Sequence, residues 1–196
     1  MANLIITIIS IALVAVAALM GAYYGGTAFL EGQAKSRATT ILSQAEQIAA
    51  AWRLWSVDRG GTIYLTDKNW SAASGGGTSD DLVPNYLSDL PKTSWLTQVS
   101  SYGFWLPAKW QALSISGGQS LVDDNNALFL GATTADYAQA LSICRKFIQI
   151  VSGTEADPVN RTTTPWRQPA DCVFIDGNAN GTLDSNDFIT FVYKVH

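Results

Sequence analysis

Between Met1 and Leu30 the chain carries no charged side chain; the first is Glu31, and no proline interrupts the run past Asp58. Ala, Val, Leu and Ile dominate residues 4–20, and roughly 20 such residues are what a helix needs to cross the ~30 Å hydrocarbon layer. This constrains the fold before anything else does: the first segment must be helical, and it must lie in lipid or in something equally dry. A cleavable signal peptide is the rival reading, but Met1-Ala2-Asn3 supplies no basic residue, and the helical pattern continues through the place where cleavage would fall.

Beyond Leu30 the pattern changes from uniformly apolar to striped. Ala34, Ala38, Ile41, Ala45, Ile48, Trp52 and Trp55 recur at alternating steps of four and three, with Leu42, Ala49 and Leu54 widening the stripe. Lys35, Arg37, Glu46, Gln47 and Arg53 take the remaining surface, and Glu31 with Lys35 forms a helix-supporting pair one turn apart. One helix from Asn3 to Asp58 would be ~84 Å long, more than a single globular domain uses. Gly21, Gly25, Gly26 and Gly32 fall inside it at a cost of about 1 kcal/mol each, so bending or local melting is expected at residues 21–26. Arg59-Gly60-Gly61 supplies the stop.

The organisation expected is therefore an apolar helix over residues 1–30, its amphipathic continuation over 31–60, and one globular head over 61–196. In fold class this is α+β: a long N-terminal helix packed on an antiparallel sheet, with a second helix and a C-terminal disulfide-bounded region. Strand-like runs are Thr62–Thr66, Tyr102–Leu106, Lys109–Ser116, Asn126–Leu130, Cys172–Ile175 and Phe188–Val195, with a Ser/Gly-rich loop at 71–81. The second helix runs from Thr133 to Ser152, opened by Thr133 and Asp136 at capping-box spacing and closed by Gly153. Its apolar face is Tyr137, Ala140, Leu141, Cys144, Phe147, Ile148 and Val151.

Twelve basic and sixteen acidic side chains, net −4 and scattered, leave no electrostatic footprint for nucleic acid. His196 is the only histidine and ends the chain, which disfavours a Ser-His-Asp or Cys-His arrangement; an enzyme is not expected. Cys144 and Cys172 enclose residues 145–171, and in an oxidising compartment they are expected to pair, the alternative being two buried thiols. Of the seven tryptophans, Trp52 and Trp55 continue the helix stripe and read as core; Trp70 and Trp166 lie in polar loops and are the better candidates for exposed contacts. Asn69-Trp-Ser71 and Asn160-Arg-Thr162 match the glycosylation acceptor pattern only as any short motif does.

One local segment carries chemistry. Asp176, Asn178, Asn180, Asp184 and Asp187 stand at positions 1, 3, 5, 9 and 12 of a calcium-type loop, with Gly181 at position 6 and the Thr182 carbonyl at position 7. Asp187 replaces the usual glutamate and two inner ligands are neutral, so weak binding of a structural calcium ion, ~10⁻⁴ to 10⁻³ M, is expected. The competing reading is an Asn/Gly-rich hairpin turn.

An apolar helix running into Ala45-Glu46-Gln47-Ile48-Ala49-Ala50-Ala51 and then Asp58-Arg59-Gly60-Gly61 resembles a type IV pilin, as does Tyr86-Leu87-Ser88-Asp89-Leu90-Pro91. Met at the start and a helix bearing the first cysteine point to the type IVb-like major pilin, and the calcium segment also resembles dockerin-type loops. The resemblance implies a homo-polymer held together through N-terminal helices, stored in the inner membrane, handled by pilus assembly machinery and displayed as an extracellular filament for adhesion, motility, DNA uptake or conjugation. It also implies that Cys144 and Cys172 bound the C-terminal region. Assembly residues would be Met1, Asn3, Ile5, Thr7, Gly21, Gly25 and Gly26, with one departure: Ile5 stands where pilins usually carry a glutamate that pairs with a neighbour's amino terminus. Alternatives are a secretion-system pseudopilin and a single-span membrane-anchored binding module stabilised by calcium.

Overall fold

The computed structural model describes residues 2–61, 82–91, 93, 106–107, 127–132, 137–160 and 169–195. Helix α1 (Ala2–Asp58) is 57 residues long, about 85 Å at the usual rise. It passes through Gly21, Gly25, Gly26 and Gly32 without a break, so the melting expected at residues 21–26 does not occur. Four glycines, two of them adjacent, weaken a helix, but its backbone groups have no better partners in apolar surroundings. The stop is as expected: Gly60 N–H donates to Val57 O at 3.2 Å and Gly61 N–H to Ser56 O at 2.9 Å, with Gly60 at φ 68°. That is the paired bonding of a Schellman cap, which requires a left-handed residue where Gly60 sits.

The seven stripe residues from Ala34 to Trp55 are all buried, Ala38 through Trp52 completely. Ala49 and Ala51 join them, whereas Leu54 is exposed because it is turned ~100° from Trp55. Residues 82–91 then cross the end of α1 as a short turn, α2 (Leu82–Asn85), containing a cis Val83–Pro84 bond and burying Leu82 and Leu90.

The second helix, α3 (Tyr137–Ser152), buries Ala140, Ile143, Cys144, Phe147 and Ile148 and ends at Gly153, whose φ is 81°. Ile143 completes an apolar face that the spacing had outlined without it. The expected cap at Thr133 and Asp136 lies outside the described residues. Helix α1 packs along α3, and α3 packs in turn on the sheet.

Among the described residues that sheet has five strands in the order β1 (Leu106–Pro107), β2 (Ala127–Ala132), β5 (Phe188–Lys194), β4 (Ala170–Ile175) and β3 (Val159–Asn160). It is mixed, not antiparallel as expected: β3 pairs parallel to β4, Val159 beside Val173 and Asn160 beside Phe174. The chain leaving α3 reaches β3 within seven residues and lies there along the edge of β4 that β5 does not occupy. Antiparallel pairing of β4 with β5 sets Cys172 opposite Phe191 and Phe174 opposite Ile189, all facing the helices. Phe147 of α3 meets Phe191 edge to face at 5.5 Å between ring centroids. On the other face Val173, Val192 and Ala127 form a smaller cluster, so β4 is buried on both sides. The strand-like runs at 62–66 and 109–116 and residues 102–105, together with Trp70, Trp95, Trp105, Trp110 and Trp166, lie outside the described residues.

Candidate functional site

Two features of the chain carry candidate chemistry, one at each end. The first is the N-terminal half of α1. From Leu4 to Leu30 its large apolar side chains stand exposed, Ile5 at 57%, Val14 at 69% and Leu19 at 72% among them. By length and composition this is a helix able to cross a membrane, with mean hydropathy 2.8 in its most apolar window and no part of that window buried. The Ser and Thr hydroxyls on this half bond back to the helix itself: Thr7 Oγ1 donates to Asn3 O and Ser10 Oγ to Ile6 O, each at 2.8 Å, and Thr27 Oγ1 donates to Tyr24 O at 3.0 Å. Those three hydroxyls therefore do not need water as a partner.

Asn3, Ile5, Thr7, Gly21, Gly25 and Gly26 all lie on this exposed half; Met1 lies outside the described residues. A methyl group added at Gly21, Gly25 or Gly26 would touch nothing within 4 Å. Packing inside the chain does not require those glycines. Tyr23 and Tyr24 stack edge to face at 5.7 Å where the uniformly apolar stretch ends, and the first charge, Glu31, follows two turns later.

The second feature is the Asp176–Asp187 loop joining β4 to β5, the central strand. Asp176 and Asp187 anchor it from within, at 4% and 0% exposure. Asp176 accepts from Asn180 N–H at 3.2 Å through Oδ1 and from Gly181 N–H at 2.6 Å through Oδ2. Asp187 accepts from Gly177 N–H at 3.0 Å and from Asp184 N–H at 2.8 Å. Asp184 Oδ2 receives the side-chain amides of Asn178 at 3.0 Å and Asn180 at 2.7 Å. Its carboxyl is held below the usual range, chiefly by the Asn186 backbone N–H and then by those two amides. Ala179 at φ 58° and Gly181 at φ 78° give the loop its two left-handed turns.

The structure thus brings the six residues named from the sequence into one loop, and it satisfies the carboxylates with the loop's own N–H groups. A hard cation takes oxygen ligands. To offer them, the Asn178 and Asn180 amides would turn over, and Asn180 Oδ1 would give up the Thr182 N–H and hydroxyl, now at 2.7 and 2.8 Å. Among the described residues no group of three or more His, Cys, Asp or Glu side chains is gathered as a metal site.

Cys144 and Cys172 form a disulfide between α3 and β4, with 5.5 Å between Cα atoms and both residues fully buried. The loop it encloses is tied back to α3 by Arg145 to Asp157 and Lys146 to Glu155, each at 2.7 Å. Comparison with protein-family models, with curated proteins and with solved structures gives no match to this chain.

Proposed function

We propose that this chain is a structural subunit of the type IV pilin kind, a type IVb-like major pilin, which polymerises through its N-terminal helix into a surface filament. The observation that supports it is the division of α1: residues from Ala34 onward form the spine of the head's core, while the half before Leu30 stands with its large apolar side chains exposed. A helix of this kind can rest in a bilayer and then exchange lipid for copies of itself without exposing apolar surface to water. The disulfide holds the second helix to the sheet and suits a head displayed in an oxidising compartment. With Ile5 apolar, subunit register in this proposal rests on packing of the apolar faces and the small residues at 21–26, not on a buried charge pair.

Electron microscopy of filaments sheared from the cell surface, with the subunit identified by mass, tests this reading. Val14→Asp is expected to abolish the filaments, because a carboxylate in a dry helical bundle has no counter-charge. A single-span tethered module is the second reading, favoured by the helix's membrane-spanning length and composition. If only membrane-bound monomer is recovered where filaments are expected, the second reading replaces the first. As part of the proposal the Asp176–Asp187 loop holds a structural calcium ion; calcium then raises the melting temperature of chelator-treated protein, and an unchanged melting temperature refutes that part alone.

A further inference from the structure

Asn180-Gly181 is the one Asn–Gly step in the chain. Such a step is chemically labile wherever the backbone is loose, because glycine has no side chain to keep its own nitrogen away from the preceding Asn Cγ. Here both reacting groups are held. Asn180 Oδ1 accepts from Thr182 N–H at 2.7 Å and Thr182 Oγ1 at 2.8 Å, and Asn180 Nδ2 donates to Asp184 Oδ2 at 2.7 Å. The attacking atom, Gly181 N, donates its proton to buried Asp176 at 2.6 Å. Asn180 nevertheless lies at the surface, where water is at hand.

We propose that Asn180 is a deamidation site gated by closure of this loop. While the loop is closed and free of calcium, three hydrogen bonds fix the side-chain amide and a fourth engages the nitrogen that would attack it. When the loop opens, Gly181 N gives its proton to solvent base and bonds to Asn180 Cγ. The Cγ–Nδ2 bond breaks, and ammonia leaves with a proton returned from solvent. One water then opens the succinimide at either carbonyl, leaving aspartate or isoaspartate at position 180. Water is consumed and ammonia released, with no change of oxidation state.

The conversion is self-locking. An aspartate at 180 loses the N–H donor to Asp184 and sets a like charge against it, so the loop does not reclose in its first form. Isoaspartate also adds a backbone carbon between β4 and β5. The loop therefore records how often it has opened.

The test is peptide mass mapping of the full chain in detergent micelles, aged in oxygen-18 water beside a free peptide of residues 176–187. Asn180 is expected to convert about ten-fold or more slowly in the folded chain than in the peptide, in proportion to how seldom the loop opens. Asp184→Ala, which removes the acceptor of the Asn180 amide, is expected to speed conversion severalfold, with Asn178, followed by Ala179, left intact. Equal rates in folded chain and peptide overturn the proposal, and so does an Asp184→Ala chain that ages no faster than the unsubstituted one.

Discussion

Gly177 shows how little room the loop leaves a single residue. A β-carbon there would overlap the backbone carbonyl oxygen of Asn186, which cannot swing aside as a side-chain end does. Gly177→Ala is expected to lower stability by ~1–3 kcal/mol, measured by denaturant unfolding of the full chain in detergent. Tyr137 gives a pH-dependent counterpart. Loss of solvent raises its phenol above the ordinary value, and the charges of Asp187 and Asp184 raise it further. A folded-state pKa above the unfolded one of ~10 means that Tyr137's contribution is intact below pH ~10 and is lost as pH rises through the folded value. Tyr137→Phe is therefore expected to reduce the loss of stability above pH ~10 and to leave neutral-pH stability nearly unchanged, as denaturant titrations on either side of that pH will show.

At the scale of elements, the joint between α1, α3 and the sheet concentrates the stability of the head. Trp52 is fully buried on α1, and Trp52→Ala is expected to cost ~3–5 kcal/mol in the same unfolding experiment. The Cys144–Cys172 bridge ties α3 to β4 across a 28-position separation, and its loss in Cys172→Ser should cost ~3–4 kcal/mol. These elements were legible in the sequence to different degrees. The α1 stripe was read almost residue for residue because a 3.6-residue period over several turns has few accidental matches, and Leu54 was misplaced only at its margin. Both β4 and β5 were found from their β-branched and aromatic content. The two-residue strand β3 was missed: Val159-Asn160 has no period of its own, and its pairing is a consequence of where the chain passes after α3. The same miss made the sheet look wholly antiparallel. In the loop, spacing named the residues, but nothing in the spacing indicated that the carboxylates would be satisfied by N–H groups of the loop itself.

For the whole molecule, the first buried side chain of α1 is Ala34, and the preceding apolar half contributes none to the core. Removal of residues 1–29 is thus expected to yield a soluble head whose melting temperature matches that of the full chain in detergent within a few degrees; a collapsed or aggregated product would show that the rod supports the fold. The residue types alone fixed the presence of a long dry helix, its division near Leu30 and its glycine stop, because helix periodicity, hydropathy and left-handed caps are local properties written in consecutive residues. They did not fix the parallel placement of β3 beside β4 or the packing of α1 along α3. Those depend on which distant segments meet, and a contact between residues far apart in the chain has no signature until the fold brings them together.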